Sequence, residues 1–151
     1  MDVRVREATA DDAAVISELN QRLALETEGK RLDPAVISAG VRRGLGQPEL
    51  CRYFVAEVDG DIVGQTMITY ELSDWRDGLL WWIQSVFVRQ PARGGRVFGA
   101  LYRHIEEAAR RDADARGLRL YVHVDNVTAM EVYERLGMER SRYVLYEVDF
   151  G

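Results

Sequence analysis

Apolar residues recur along the chain with two different periods, and the switches between them divide it into elements. Residues 3–7 alternate in strand fashion, and Thr9, Asp11 and Asp12 behind them suit a helix start. Val15, Ile16, Leu19 and Leu23 then return at three-to-four spacing, which predicts an amphipathic first helix broken at Glu28-Gly29-Lys30. Asp33-Pro34 opens a second helix with the proline in its first turn. Val36, Ile37 and Val41 form its apolar face, and Gly44, Gly46 and Pro48 end it.

The period then shortens. Residues 52–58 and 62–71 are β-rich runs joined by Asp59-Gly60-Asp61, a hairpin signal. A polar turn over 73–78 contains Trp75, and 79–88 is the third and most apolar run, as a central strand requires. Gly94 and Gly95 lead into a long helix whose inner face is Val97, Leu101, Ile105, Ala108 and Ala109. Gly117 is expected to stop that helix. A strand over 118–124 follows, then a short helix from Asn126 to Gly137 and a final strand over 142–148. The predicted order is β-α-α-β-β-β-α-β-α-β. It describes a mixed α/β (α+β) fold with a largely antiparallel sheet, one domain over residues 1–151. The β-helix-β unit through the long helix predicts one right-handed parallel pairing, at whose strand ends ligands collect.

Composition narrows the function classes. Twenty Lys and Arg against 25 Asp and Glu give a net charge of −5, which argues against nucleic acid or an anionic membrane as the main partner. A single cysteine, Cys51, excludes an internal disulfide and a multi-thiolate metal site, and His104 and His123 do not form a recognisable ligand pair. No metal is expected. The longest apolar run, 79–83, is far short of a membrane span. With no signal-like N-terminus, a cytoplasmic location is the expectation.

Two segments carry candidate chemistry. From Val88 to Leu101 a strand ends, a glycine-rich turn follows and a helix begins. Helix-start amides and the helix dipole favour an anion such as a pyrophosphate there, and the arginines add charge. The same pattern also suits a plain strand-to-helix turn with solvated arginines. In the second segment Asn126 is a natural N-cap, and Tyr133 lies two turns on along the same helical face. A phenol there can donate a proton to a leaving thiolate; it can equally be a half-buried tyrosine packing between helix and strand.

Taken together, these segments resemble the GCN5-related N-acetyltransferase (GNAT) superfamily over essentially the whole chain. Residues 5–12 look like its opening strand and cap, Ile62-Val63-Gly64 like its second hairpin strand, and Asn126…Ala129…Tyr133-Glu134-Arg135-Leu136-Gly137-Met138 is the most specific match. The resemblance implies acetyl-CoA as co-substrate and an N-acetyltransferase moving acetyl directly to a primary amine, on a small molecule or a peptide. It implies that the loop and first turn formed by Arg93, Gly94, Gly95, Arg96, Val97, Phe98 and Gly99 hold the pyrophosphate. Val86, Phe87 and Val88 then offer backbone groups to the pantetheine arm, Asn126 lies beside the cofactor and Tyr133 protonates the thiolate. The family's loop reads Gln or Arg, two residues, Gly, one residue, then Gly or Ala. Here Arg96 and Phe98 stand at the last two of those positions, the mark of a subgroup with an atypical phosphate loop.

An amine with a pKa near 10.4 must lose a proton before it attacks. The family commonly uses a glutamate on the central strand, where this chain has Gln84 and Ser85. Glu26, Glu28, Glu71, Asp74 and His123 are the other candidates, each equally readable as a surface group. Glu28, Glu71, Trp75 and Gln84 are the candidate acceptor-pocket residues, Trp75 because a turn does not require its burial. A non-catalytic acyl-CoA-binding regulatory module on the same fold is the alternative. Monomer and homodimer both stay open.

Overall fold

The computed structural model describes residues 2–151. They divide into two compact units, one running to Tyr121 and the other Val122–Gly151.

In the first unit the elements are β1 (Arg4–Glu7), α1 (Ala13–Glu28), α2 (Pro34–Leu45), β2 (Cys51–Val58), β3 (Asp61–Ser73), β4 (Gly78–Val88), α3 (Arg96–Arg111) and β5 (Ala115–Arg119). The first helix ends where expected, at Gly29 in the left-handed region (φ 63°), a conformation that suits glycine. Asp33 caps α2 through Ala35 N–H, with Pro34 in its first turn. The strands lie in the sheet in chain order. β1 to β4 pair antiparallel, and β5 pairs parallel with β4 after the α3 crossover.

Strand alternation sends neighbouring side chains to opposite faces, and each face is covered by different helices. Tyr53 and Val55 pack with Ile16 of α1 and Val41 of α2. Phe54, between them, meets His104 of α3 edge-on at 5.4 Å. On that same face a Cβ on Gly64 would lie 2.8 Å from a methyl of Val97, so this glycine lets the start of α3 sit close against β3. Arg6 binds Asp12 and Glu57 on the opposite face, holding the Asp12 carboxyl below its ordinary range and tying the first turn to β2.

Two expected boundaries move. The long helix stops at Arg111 rather than Gly117, because Ala115–Arg119 is drawn into a parallel ladder with Leu79–Trp82. That strand ends at Arg119 instead of continuing to 124.

The second unit holds α4 (Val127–Arg135) and the chain that follows it. The strand expected over 142–148 forms no ladder among the described residues, and Tyr143, Val144, Tyr146 and Val148 are exposed. Alternation fits a residue to a strand, but a strand also needs a partner edge.

Candidate functional site

The site begins where β4 parts from β5. Their last ladder pair is Trp82 with Arg119, and β4 continues to Val88 paired with β3 alone. Along this stretch β4 also bulges. Gln84 pairs with Met67 and Phe87 with Gln65, so an extra residue of β4 is accommodated opposite Thr66. Ser85 takes up the turn in the left-handed region at φ 53°.

Two fully buried side chains of β3 hold the bulge. Thr66 Oγ1 donates to the carbonyl of Gln84 at 3.0 Å, and Gln65 Nε2 donates to that of Ser85 at 3.1 Å. In a trans peptide the N–H points opposite to the C=O, and no cis peptide occurs among the described residues. The amides of Ser85 and Val86 therefore both point away from the β3 side chains that grip the adjoining carbonyls. A regular strand would send consecutive amides to opposite edges.

Beyond β4, a short turn over Gln90–Ala92 leads to Gly94 and Gly95, with φ of 135° and 93°. Their conformation demands glycine, while the space where a Cβ would sit is open. Helix α3 starts at Arg96 without an acidic residue in its first turn. Gly99 N–H donates back to Gly95, so the amides of Arg96 and Val97 have no carbonyl one turn earlier. An open strand edge, outward-facing amides, two left-handed glycines and a long helix start thus follow one another within a short run of chain.

The arginines of this region divide by role. Arg89 makes a bidentate pair with Glu18 of α1 at 2.8 and 3.1 Å and holds the Glu18 carboxyl below its ordinary range. Arg93 donates to the Val88 carbonyl at 2.8 Å and to Glu26 at 2.6 Å, with its guanidinium 5.3 Å from the centre of the Phe87 ring. Both clamp the loop to β4 and α1, and Glu26 is engaged in that clamp. Arg96 is exposed at the first position of α3. Val97 is buried, whereas Phe98 is half-buried with its ring 6.3 Å from Tyr102.

Of the expected acceptor residues, Gln84 and Glu71 share the sheet face that carries Thr69 and Trp82. Gln84 Nε2 donates to Thr69 Oγ1 at 2.6 Å, and Glu71 accepts from Trp82 Nε1 at 2.8 Å and from Arg119 at 3.3 Å. Trp75 is 93% exposed at the tip of the β3–β4 hairpin, and Glu28 is exposed at the end of α1. The sequence reasoning missed Gln65 and Thr66. Their signal, adjacent polar residues in an otherwise apolar strand, is faint because strands often carry such residues on a solvated face.

The second unit carries the other candidates. Asn126 caps α4 as expected, its side chain accepting from Ala129 N–H at 3.1 Å. Burial pushes the Tyr133 phenol above its ordinary pKa, so it stays protonated near neutrality. His123 is exposed and lies outside any strand, its Nδ1 accepting from Asp125 N–H at 3.1 Å.

No cluster of three or more His, Cys, Asp or Glu suited to a metal occurs among the described residues, and no described helix is long and apolar enough to cross a membrane. Among solved structures, a possible acetyltransferase from Clostridium difficile 630 is 40% identical, covers 97% of each chain and superposes with a TM-score of 0.91. A predicted acetyltransferase with acetyl-CoA from Clostridium acetobutylicum shares the fold at 18% identity and TM-score 0.75, covering 97% of this chain and 96% of its own. AAC(6')-Iy, in complex with the bisubstrate analogue CoA-S-monomethyl-acetylneamine, shares it at 15% identity and TM-score 0.79, covering 99% of each. No curated protein matches the chain. The model of the acetyltransferase (GNAT) family matches residues 16–138, from α1 through α4. The chain belongs to the GNAT acetyltransferase family and is an acyl-CoA-dependent acetyltransferase.

Proposed function

We propose that the chain transfers acetyl from acetyl-CoA directly to a primary amine, both units acting as one acyltransferase domain. The family match crosses the boundary between the units, which supports reading them together. The observation that carries the proposal is the pair of amides at Ser85 and Val86, turned away from β3 on a strand whose neighbouring edge is open. Donors aimed at a thioester carbonyl oxygen stabilise the charge that develops as the carbonyl is attacked. The edge of Val86, Phe87 and Val88 offers strand-like bonding to an extended pantetheine arm. Gly94, Gly95 and the first turn of α3 suit its pyrophosphate. Arg96 at the helix start supplies cationic charge, and Arg93 shapes the loop.

In the reaction a neutral amine forms the C–N bond as the C–S bond breaks. By family resemblance, Tyr133 hands its proton to the departing sulfur and the amine's proton passes to solvent or a nearby carboxylate. Glu71 and Gln84, which share one face of the sheet, are the candidates for selecting the acceptor. AAC(6')-Iy, with its acetylneamine-containing analogue, supports an amine as acceptor class.

Thiol release with acetyl-CoA and a panel of small-molecule and peptide amines tests the proposal. Turnover with at least one amine is expected; thiol release that never depends on amine would sink it. Tyr133→Phe should lower kcat by ~10²-fold while Tm and CoA affinity hold, since one hydroxyl is lost. Full turnover in that variant would remove Tyr133 from the mechanism.

A further inference from the structure

Gln65 is an unusual core residue. It is fully buried on the face of β3 that also carries Met67, yet only its Nε2 has a partner; Oε1 is buried without one. Rotating the amide does not help, because it would set Oε1 against the Ser85 carbonyl, two acceptors with no proton between them. The orientation is forced by the bulge, and the orphaned oxygen is its consequence. A methionine of similar length would fill the space without burying an unpartnered acceptor. What it would lack is the donor to Ser85.

That donor acts on a strained position. Ser85 is a non-glycine residue in the left-handed region, a conformation that persists only when its surroundings hold it there. Thr66 fixes the peptide before Ser85 and Gln65 the peptide after it, so their side chains set both planes of the bulge. The Val86 amide belongs to the plane that Gln65 grips. If that plane relaxes toward a regular strand, the Val86 amide turns and the outward donor pair is lost.

We propose that Gln65 is a positioning residue for acyl transfer: by gripping the Ser85 carbonyl it aims the Val86 amide at the acyl oxygen. The inference rests on the acetyl-CoA reading of the β4 edge. It assigns to a buried side chain that meets no substrate the alignment of the group that does.

Gln65→Met is the first test, with kcat and Tm measured on the same preparation and affinity measured separately for CoA, which lacks the acyl carbonyl. Removing a preorganised donor outright costs about 10²–10³-fold in kcat, and misaiming one should cost about tenfold. CoA affinity should stay unchanged and Tm should hold or rise. Gln65→Glu is the second test. A buried carboxyl titrates high, and in its protonated form it can donate to Ser85 again, so activity relative to wild type should climb as pH falls. Wild-type kcat in Gln65→Met overturns the inference and leaves the acetyl-CoA reading standing. Should Gln65→Met not fold, an activity ratio for Gln65→Glu that is flat with pH overturns it instead. Wild-type protein that does not bind CoA overturns the reading and the inference together.

Discussion

The two halves of β4 share a strand and differ in what their backbone is used for. From Leu79 to Trp82 both edges are paired, antiparallel with β3 and parallel with β5, and Leu80 and Trp81 are buried. From 83 to 88 only the β3 edge is paired, the strand bulges, and buried side chains replace part of the ladder. Backbone polar groups must be bonded somewhere; the closed half uses them in the sheet, and the open half has amides that no β5 ladder takes up. An unpaired edge invites pairing with other chains, and a bulge with local twist makes it a poor template. Stability and binding are thus predicted to separate along a single strand.

The sharpest way to break that separation is Trp81→Ala in the closed half. Trp81 is 2% exposed, meets Tyr70 edge-on at 5.7 Å and lies under the Arg52 guanidinium. Truncating a buried aromatic of this size should cost about 3–5 kcal/mol, read as a lower urea midpoint. Molecules that remain folded should bind CoA with wild-type affinity. Affinity lost at unchanged stability would show that the two halves are not independent.

How far this division could be read in the sequence depended on whether the signal was local. The Asp59-Gly60 turn, the Asp33-Pro34 start, the Gly29 stop and the Asn126 cap are decided within a few residues, and all four stand in the structure. The glycine pair before α3 was legible for the same reason. Pairing is not local. Residues 142–148 alternate as well as any strand yet form no ladder among the described residues, and Gly117 falls inside β5 because Leu80 pairs with it. The bulge was hidden because it arises from Gln65 and Thr66 bonding to the backbone of another strand. The sequence also could not show that Arg93, although exposed, turns to Val88 and Glu26, while Arg96 stands exposed at the first position of the helix.

A smaller effect is expected at the glycine pair of the open region. Gly95 sits at φ 93° with nothing within 4 Å of an added Cβ, so Gly95→Ala introduces strain and no clash. The strain should cost ~1–3 kcal/mol or be relieved by a shift of the loop. Gly60, at φ 85° in the β2–β3 turn and equally open, is the matched control. Both alanine variants should lose stability, but only Gly95→Ala should weaken CoA binding in calorimetry. Equal affinities in the two would take the loop out of the binding site.

The smallest effect separates the two arginines of the loop. Arg96 is exposed, so its contribution to binding an anion is a screened surface interaction, worth ~0–1 kcal/mol. Arg96→Ala should weaken CoA binding a few-fold at low salt. The difference should vanish at high salt, where the Debye length shrinks from ~10 Å at 0.1 M to ~3 Å at 1 M. Arg93 acts through fixed neighbours: a carbonyl, a carboxylate and an aromatic face. The Glu26 pair is an exposed ion pair that salt weakens, but the bond to the Val88 carbonyl and the contact with the Phe87 ring are screened less, so part of whatever Arg93→Ala does to CoA affinity should persist as salt rises. Affinities of both variants across a salt series decide the matter by slope as well as by size. If the Arg93→Ala defect disappears in salt while that of Arg96→Ala does not, the roles are reversed and Arg93 leaves its clamp to meet the phosphates.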